Sequence, residues 1–246
     1  MSYEGLGRVV MVIPTYNEFM NLRWIVERLR TAQPGVDVMV VDDDSPDGTG
    51  RLADSLAADV PQISVLHRES KAGLGPAYAA GFDRALADGA EIVIEMDADF
   101  SHDPADLPRL VKAIDEGADI AIGSRYVAGG STPDWPLIRR LISRGGNFYA
   151  RLMLGIPVRD ATAGFRAFTA EALGELPYRA AEASGYGFQV EMAWRANQRG
   201  LKIIEVPISF RDRARGTSKM GLPIVLEAMR LVTVWGIARL FGSARS

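Results

Sequence analysis

Runs of apolar, β-branched residues alternate in the first half of the chain with segments that carry apolar residues at helical spacing. The runs at 8–13, 36–41, 63–66 and 119–123, and the run that starts at residue 92, predict five buried strands. Because these strands are almost continuously apolar and helices separate them, they indicate a mostly parallel sheet covered by helices on both faces. The 246 residues, 48% of them hydrophobic, suffice for one large domain.

The stretch 92–104 joins an apolar strand to two carboxylates, Asp97 and Asp99, with only Ala98 between them. Side chains alternate along a strand, so both carboxylates are expected to point the same way. Such a pair suits Mg²⁺ or Mn²⁺, with phosphate oxygens as the remaining ligands. The alternative interpretation is an acidic turn that caps the helix beginning at Pro104.

Other charged residues follow the neighbouring predicted strands. Glu18 comes after the first strand, Asp43 after the second and Arg125 after the fifth. In open α/β sheets, ligands bind outside the carboxyl ends of the strands. The sequence therefore predicts a functional site at this edge of the sheet.

The second half of the chain departs from strict alternation. Residues 136–154 predict a helix with an apolar face and four arginines, a pattern that is also typical of a simply solvated basic face. A turn at 160–166 precedes a short strand, a helix opens near Gly185, and a strand covers 202–207. A basic, glycine-containing loop at 210–219 precedes a helix at 222–241. We therefore divide the chain into one α/β domain at 1–221 and a C-terminal helical segment at 222–246.

Composition excludes several classes of protein. The net charge of −3 and the pI near 5.5 argue against a nucleic-acid partner. Without cysteine there is no disulfide framework, thiolate nucleophile or Cys-based zinc site, and two histidines cannot form a three-histidine metal site. The N-terminus lacks the features of a signal peptide, and no apolar run approaches the ~20 residues needed to cross a bilayer. We expect a cytoplasmic protein, either free or on a membrane surface.

Two local patterns receive ordinary interpretations. Gly73-Leu74-Gly75 lies where a dinucleotide-binding glycine motif could lie, but position 78 is tyrosine where that motif has its third glycine. We interpret it as a glycine-rich helix entry. His102 either orients a metal ligand or caps the helix that begins at Pro104, and we favour the cap.

Several motifs together resemble a known enzyme family. They are residues 14–18 (PTYNE), 41–49 (VDDDSPDGT), 97–99 (DAD), 123–126 (GSRY), 135–139, 185–191 and 213–219. In order and spacing they resemble the inverting family 2 glycosyltransferases of the GT-A fold, a Rossmann-like α/β fold. Among these, the chain is most similar to the dolichol- or polyprenol-phosphate mannose synthases of the short type without transmembrane helices. One departure is Ser101, because some relatives carry a glutamine metal ligand at that position.

The resemblance implies GDP-mannose as donor, polyprenyl or dolichyl phosphate as acceptor, and Mg²⁺ or Mn²⁺ as cofactor. It assigns the guanosine to Pro14, Tyr16, Glu18, Val41 and Asp43, and the metal and diphosphate to Asp97, Ala98 and Asp99. It assigns the phosphates to Arg125, Arg139, Arg213 and Lys219, and the sugar to Gln189 and Glu191. A lipid monophosphate is largely dianionic at neutral pH, so it can attack the sugar without a protein base. A single displacement would invert the α-linked donor to a β-linked product.

Three alternatives remain open: a related transferase that uses UDP-glucose, a non-catalytic lipid-phosphate-binding subunit, and a nicotinamide-dependent oxidoreductase. The helix at 222–241 also has three possible positions: packed on the domain, in the bilayer interface, or docked on a membrane-anchoring partner protein. Trp235 and the flanking arginines suit a headgroup zone. Because the inferred acceptor is a membrane lipid, we expect a peripheral protein on the cytoplasmic face of the membrane.

Overall fold

The computed structural model describes residues 6–183, 185, 187–212 and 222–242. The strands are β1 (Val9–Thr15), β2 (Asp37–Asp42), β3 (Ile63–His67), β4 (Ile92–Glu95), β5 (Ile120–Ser124), β6 (Arg166–Thr169) and β7 (Ile203–Pro207). The helices are α1 (Phe19–Ala32), α2 (Thr49–Asp59), α3 (Leu74–Ala87), α4 (Leu107–Asp115), α5 (Leu137–Leu154), α6 (Ala170–Glu175), α7 (Gly187–Gln198) and α8 (Leu222–Leu240). Short 3₁₀ helices cover Pro104–Asp106 and Tyr178–Ala180.

The strands form one sheet in the order β3-β2-β1-β4-β6-β5-β7. All neighbouring pairs are parallel except those of β6, which runs antiparallel to both β4 and β5. The predicted mostly parallel sheet is confirmed, and the one reversed strand lies inside it, between β4 and β5. In the chain, α5 and the 160–166 turn separate β5 from β6, and β6 then enters the sheet between β4 and β5 in the opposite direction.

The sheet is covered on both faces, as its apolar strands predict. In β1, Val10 and Val12 face the side covered by α3, α5, α6, α7 and α8, whereas Met11 and Ile13 face α1, α2 and α4. Because side chains alternate along a strand, the same strand contributes residues to both apolar layers. With both faces buried, ligands have access to this part of the sheet only at its edges and strand ends.

Helix α8 packs on the domain through one face. Val232 and Trp235 are buried, and the Trp235 ring stacks on Trp194 with centroids 5.2 Å apart. The expectation that Trp235 lies in a membrane headgroup zone is therefore wrong, because its ring is covered by α7. The opposite face of α8 remains exposed, with Leu226, Met229, Val234, Ile237 and Leu240 each about half or more accessible.

Helix α5 packs along α8 and also presents an exposed apolar face. The side chains on that face are Leu137, Ile138, Leu141, Ile142, Phe148 and Leu152, with accessible fractions from 58% to 70%. Among the described residues, no helix combines the length and the apolar character that crossing a bilayer requires.

Candidate active site

The acidic pair lies immediately after β4, at the carboxyl end of a central strand. Asp97 is half-buried and Asp99 is 4% exposed. The backbone N–H of Ser101 donates to Asp99 Oδ1 at 3.0 Å, and the Tyr78 hydroxyl donates to Asp97 Oδ1 at 3.2 Å. Phe100, between Asp99 and Ser101, has φ +65°, a conformation that costs a bulky residue roughly 1–3 kcal/mol. The fold thus maintains a strained turn that directs a backbone N–H onto one of the two carboxylates.

The Tyr78 hydroxyl is a donor at this site. Burial, and then the negative charge of Asp97, raise the pKa of Tyr78 well above its usual value of 10. The hydroxyl therefore stays protonated at neutral pH and donates a hydrogen bond to the carboxylate.

A buried contact between a carboxyl group and a guanidinium group lies next to the acidic pair. Arg166 Nε lies 3.4 Å from Glu95 Oε1, and both side chains are essentially inaccessible. Arg166 also donates to the carbonyls of Ala161 and Ala163, so it binds the 160–166 turn to the strand that carries the acids. Burial raises the pKa of Glu95 to about 8, although the charge of Arg166 opposes this shift.

Gln189 and Glu191, both predicted to contact the sugar, point in different directions. Both polar atoms of the Gln189 amide are buried, and the amide faces the buried Glu95 carboxyl group. A Cβ on Gly164 would lie 3.9 Å from Gln189 Nε2 and 3.5 Å from Asp97 Oδ2, so Gln189 lies on the side of the acidic pair.

Glu191 is two positions further along α7 and therefore faces elsewhere. It accepts hydrogen bonds from the N–H groups of Glu182 and Ala183 and forms an ion pair with Arg195. The structure brings Gln189, and not Glu191, toward the acids. A sugar contact by Glu191 remains a prediction.

These features fit a hard divalent cation. Two carboxylates provide oxygen ligands, and the buried Gln189 amide and a glycine without a side chain lie beside them. In the described ranges, no group of three or more histidine, aspartate or glutamate side chains has a metal-binding arrangement.

The residues predicted to bind the nucleotide lie at the carboxyl ends of β1 and β2. Pro14 pairs with Val41 in the register of the two strands, and Asp43 N–H donates to the Thr15 carbonyl at 3.0 Å. The Val41 side chain is fully buried in the core, so only its backbone can face a ligand. Asp43 is buried and accepts from Arg68 Nη1 at 2.6 Å.

Side-chain contacts also fix the two remaining members of this set. The ammonium group of Lys71 lies 4.1 Å from the centroid of the Tyr16 ring, and Asn21 Nδ2 donates to Glu18 Oε2 at 2.7 Å.

Burial raises the pKa of Asp43 above its usual 3.8, while the Arg68 guanidinium acts in the opposite direction.

Arg125 is a buried cation whose orientation is fixed. Its Nε donates to Asp160 Oδ2 at 2.8 Å, and its Nη2 donates to Asp160 Oδ1 and Thr162 Oγ1 at 2.6 and 2.7 Å. The aromatic rings of Trp135 and Phe210 lie 5.3 and 5.2 Å from the guanidinium carbon. A phosphate contact by Arg125 remains a prediction.

Arg139 lies near this cluster, stacked 4.0 Å over the Trp135 ring and paired with Asp212. Arg213 and Lys219, the other predicted phosphate-binding residues, lie outside the described residues.

The interpretation of His102 as a helix cap is wrong. The side chain of Asp103 caps the 3₁₀ helix by accepting from Ala105 N–H at 3.0 Å. His102 is instead buried between the rings of Phe165 and Phe210, with centroids 5.3 and 5.1 Å away. Burial lowers the pKa of His102 to about 4, so the ring is neutral at neutral pH.

Three residues of the site were not predicted from sequence: Arg68, Tyr78 and Arg166. Tyr78 stands where a dinucleotide-binding motif would carry glycine, and that difference was the available signal. Arg166 begins a strand in an otherwise apolar context, where a cation requires a buried partner. Arg68 has no comparable signal, because its contact with Asp43 depends on the pairing of β2 with β3.

The sheet, its helical layers and an acidic pair at the end of a central strand define a glycosyltransferase of the GT-A type. Residues 10–176 match the family model described as Glycosyl transferase family 2, and the chain belongs to this family. The sequence-based assignment of fold and family is thereby confirmed.

Similar proteins extend the comparison over nearly the whole chain. Polyprenol monophosphomannose synthase of Mycolicibacterium smegmatis is 50% identical over 239 residues, covering 97% of this chain and 90% of the relative. Undecaprenyl-phosphate mannosyltransferase of Micrococcus luteus is 51% identical over 231 residues, covering 94% and 95%.

A solved structure gives the same fold. Glucosyl-3-phosphoglycerate synthase from Mycobacterium tuberculosis, crystallised with Mn²⁺, UDP and glucosyl-3-phosphoglycerate, superimposes with a TM-score of 0.67 at 21% identity. The match covers 97% of this chain and 84% of the other.

Proposed function

We propose that this glycosyltransferase transfers mannose from GDP-mannose to a polyprenyl or dolichyl monophosphate and inverts the anomeric configuration. The observation that carries the proposal is the identity of about half, over nearly full length, to two enzymes named for mannosylation of polyprenyl phosphates. The residues of the site are consistent with this chemistry.

Asp97 and Asp99 would hold Mg²⁺ or Mn²⁺ through carboxylate oxygens, which are the ligands that hard cations prefer. When bound, the cation would offset the negative charge that develops on the departing diphosphate. The protein would prepare for this by fixing Asp99 before the donor arrives, through the hydrogen bond from the Ser101 N–H. Preorganised groups need little rearrangement during the reaction.

The chain would not need to supply a base. An oxygen of the lipid phosphate would attack the anomeric carbon of mannose while the bond from that carbon to the diphosphate breaks, so that GDP leaves. No proton has to be removed from a phosphate that is already dianionic. Arg125, Arg139, Arg213 and Lys219 would bind the two anionic phosphate groups and reduce their mutual repulsion.

The nucleotide would bind at the ends of β1 and β2. Tyr16, Glu18 and Asp43 would contact the guanosine, with the backbone at Pro14 and Val41 forming the floor of the site. The ion pair of Asp43 with Arg68 supports this location, since it holds a buried carboxylate at the sheet edge.

The exposed apolar faces of α5 and α8 would contact the membrane surface that contains the acceptor. We call the twelve side chains Leu137, Ile138, Leu141, Ile142, Phe148, Leu152, Leu226, Met229, Val234, Ile237, Leu240 and Phe241 the α5/α8 surface. An apolar surface of this kind on adjacent helices is typical of proteins that lie in the bilayer interface. Exposed arginines such as Arg144 would add attraction to anionic headgroups.

The test is to incubate the protein with GDP-mannose, a short polyprenyl phosphate and Mg²⁺ or Mn²⁺, followed by mass analysis of the lipid. We expect a lipid heavier by one hexose, release of GDP, and a β linkage by NMR. Preference for UDP-glucose would contradict the proposed donor, and lipid binding without transfer would contradict the enzymatic role.

A matched pair of variants tests the metal ligands. Asp97→Asn should abolish transfer, because it removes a negative charge that would bind the cation. The melting temperature should change little, because Asp97 lies at the end of a strand and not in the apolar core. Asp88→Asn, which removes a surface carboxylate paired with Arg84, should leave transfer unchanged. Activity of Asp97→Asn within a few-fold of the original protein would rule out the metal site.

A further inference from the structure

Tyr78 is a fully buried tyrosine on α3, and its hydroxyl contacts the acidic pair. It lies on α3, has no accessible surface, and donates to Asp97 Oδ1 at 3.2 Å. The resemblance to known transferases assigned no role to this residue. A buried hydroxyl requires a hydrogen-bond partner, and here that partner is a carboxylate of the site.

Two aromatic side chains pack against the ring of Tyr78. Phe82 stacks on it with centroids 5.8 Å apart and planes inclined by 25°, and Phe188 stacks on it at 6.2 Å and 10°. Stacked, close-packed rings have little freedom to change rotamer. The packed ring therefore holds the hydroxyl in a fixed position.

The glycines that precede Tyr78 make this stack possible. A Cβ on Gly75 would lie 2.8 Å from Phe188 Cδ2 and 3.0 Å from the Ala183 carbonyl, closer than side-chain atoms tolerate. Only glycine at position 75 lets the start of α3 approach Phe188 so closely. The pattern of two glycines followed by tyrosine thus has a structural reason unrelated to dinucleotide binding.

We propose that Tyr78 is a positioning residue that fixes the carboxylate of Asp97 for cation binding, with the Phe82–Tyr78–Phe188 stack as its support. The hydrogen bond holds Oδ1, while Oδ2 lies on the side of Gly164, 3.5 Å from the position that a Cβ of residue 164 would take. A ligand held in one rotamer binds a metal without the entropic cost of ordering it. The inference rests on the proposed metal-dependent transfer and adds the residue that prepares its metal ligand.

The chain offers a matched control for removing this hydroxyl. Tyr178 is also buried, donates to Asp83 Oδ1 at 2.6 Å, and packs edge-on against Phe82 at 5.5 Å, in the same aromatic cluster. Tyr78→Phe and Tyr178→Phe each delete one buried hydroxyl that donates to an aspartate and keep the ring. Only the first loses a contact with the acidic pair.

The measurement is Mn²⁺ binding by electron paramagnetic resonance, on the full chain without donor, together with the Mn²⁺ concentration that gives half-maximal transfer. We expect Tyr78→Phe to weaken Mn²⁺ binding about 10- to 100-fold, the usual effect of removing a residue that orients a metal ligand. Saturating Mn²⁺ should restore most of its turnover. Tyr178→Phe should bind Mn²⁺ as the original protein does.

The outcomes separate this inference from the proposed function. Equal Mn²⁺ affinity in Tyr78→Phe and the original protein, or an equal loss in both variants, would overturn the role of Tyr78 and leave the metal site standing. Absence of Mn²⁺ binding by the original protein both without and with GDP would overturn both. Melting temperatures verify that each variant is folded, and the retained rings make this the expected result.

Discussion

Replacing two exposed side chains on α5 tests whether the α5/α8 surface contacts a membrane. The variant is Leu141→Ser combined with Ile142→Ser, and these residues are 58% and 66% exposed. Because neither contributes to the buried core, we expect the melting temperature to change little. Any large effect of the substitutions should therefore appear in membrane binding and not in stability.

The expected magnitude follows from the area available for burial. Full transfer of a Leu or Ile side chain out of water contributes about 1.5–3 kcal/mol. Since about 60% of each side chain is available, each would contribute roughly 1–2 kcal/mol. Together they would contribute about 2–4 kcal/mol, which corresponds to roughly a 30- to 700-fold change in affinity.

The assay is co-sedimentation with vesicles that contain anionic lipid, alongside transfer to a long-chain acceptor in the same vesicles. Transfer to a short, water-soluble prenyl phosphate should be unchanged, because the substitutions lie away from the acidic pair. The matched control is Met20→Ser with Trp24→Ser on α1, whose side chains are 63% and 55% exposed. This control should bind vesicles as the original protein does.

Two results would refute the reasoning. One is vesicle binding by the α5 variant within roughly threefold of the original protein, far below the effect that the buried area requires. The other is an equal loss in the α1 control, which would indicate non-specific adsorption of apolar side chains. Retained vesicle binding with lost capture by a membrane protein would instead favour a protein partner on this surface.

Three further predictions concern stability. Trp235→Ala should lower the free energy of unfolding by about 3–5 kcal/mol in urea titrations, because the ring is buried, and a change below about 1 kcal/mol would mean that α8 is not docked. Gly75→Ala should lower the free energy of unfolding by about 1–3 kcal/mol, because the added methyl group overpacks the site. The control Gly174→Ala, with no atom within 4 Å of the added Cβ, should leave the free energy of unfolding unchanged or raise it by up to about 1 kcal/mol. Equal effects of the two variants would contradict the close approach at position 75. Because burial lowers the pKa of His102 from 6.5 to about 4, the unfolded chain binds more protons between these values, so stability should fall as the pH drops through this window. His102→Gln should flatten this dependence, and an unchanged pH profile in His102→Gln would contradict the assignment.

Much of the fold could be predicted from sequence because its signals are local. Apolar strands that alternate with helical segments require a sheet buried on both faces, and the side-chain period of two fixes which residues enter each layer. The acids at positions 97 and 99 follow their strand directly, so their place at a strand end needed no tertiary information. The family assignment rested on motifs of the same local kind.

Tertiary structure alone decided how these pieces meet. The direction of β6 depends on which strands it joins, and a four-residue strand carries no local signal of orientation. The same holds for the face of α8 that packs inward, since α8 is apolar around much of its circumference and Trp235 could have faced either way.

The supporting contacts of the site were also beyond the sequence. Tyr78 and Asp97 are 19 positions apart, and Arg125 and Asp160 are 35 apart, so each contact exists only after the sheet has assembled. The sequence by itself identified the candidate residues for the chemistry, because their types and strand-end positions are local properties. Only the folded chain determined which of them are held rigid, because rigidity comes from packing between segments that are distant in sequence.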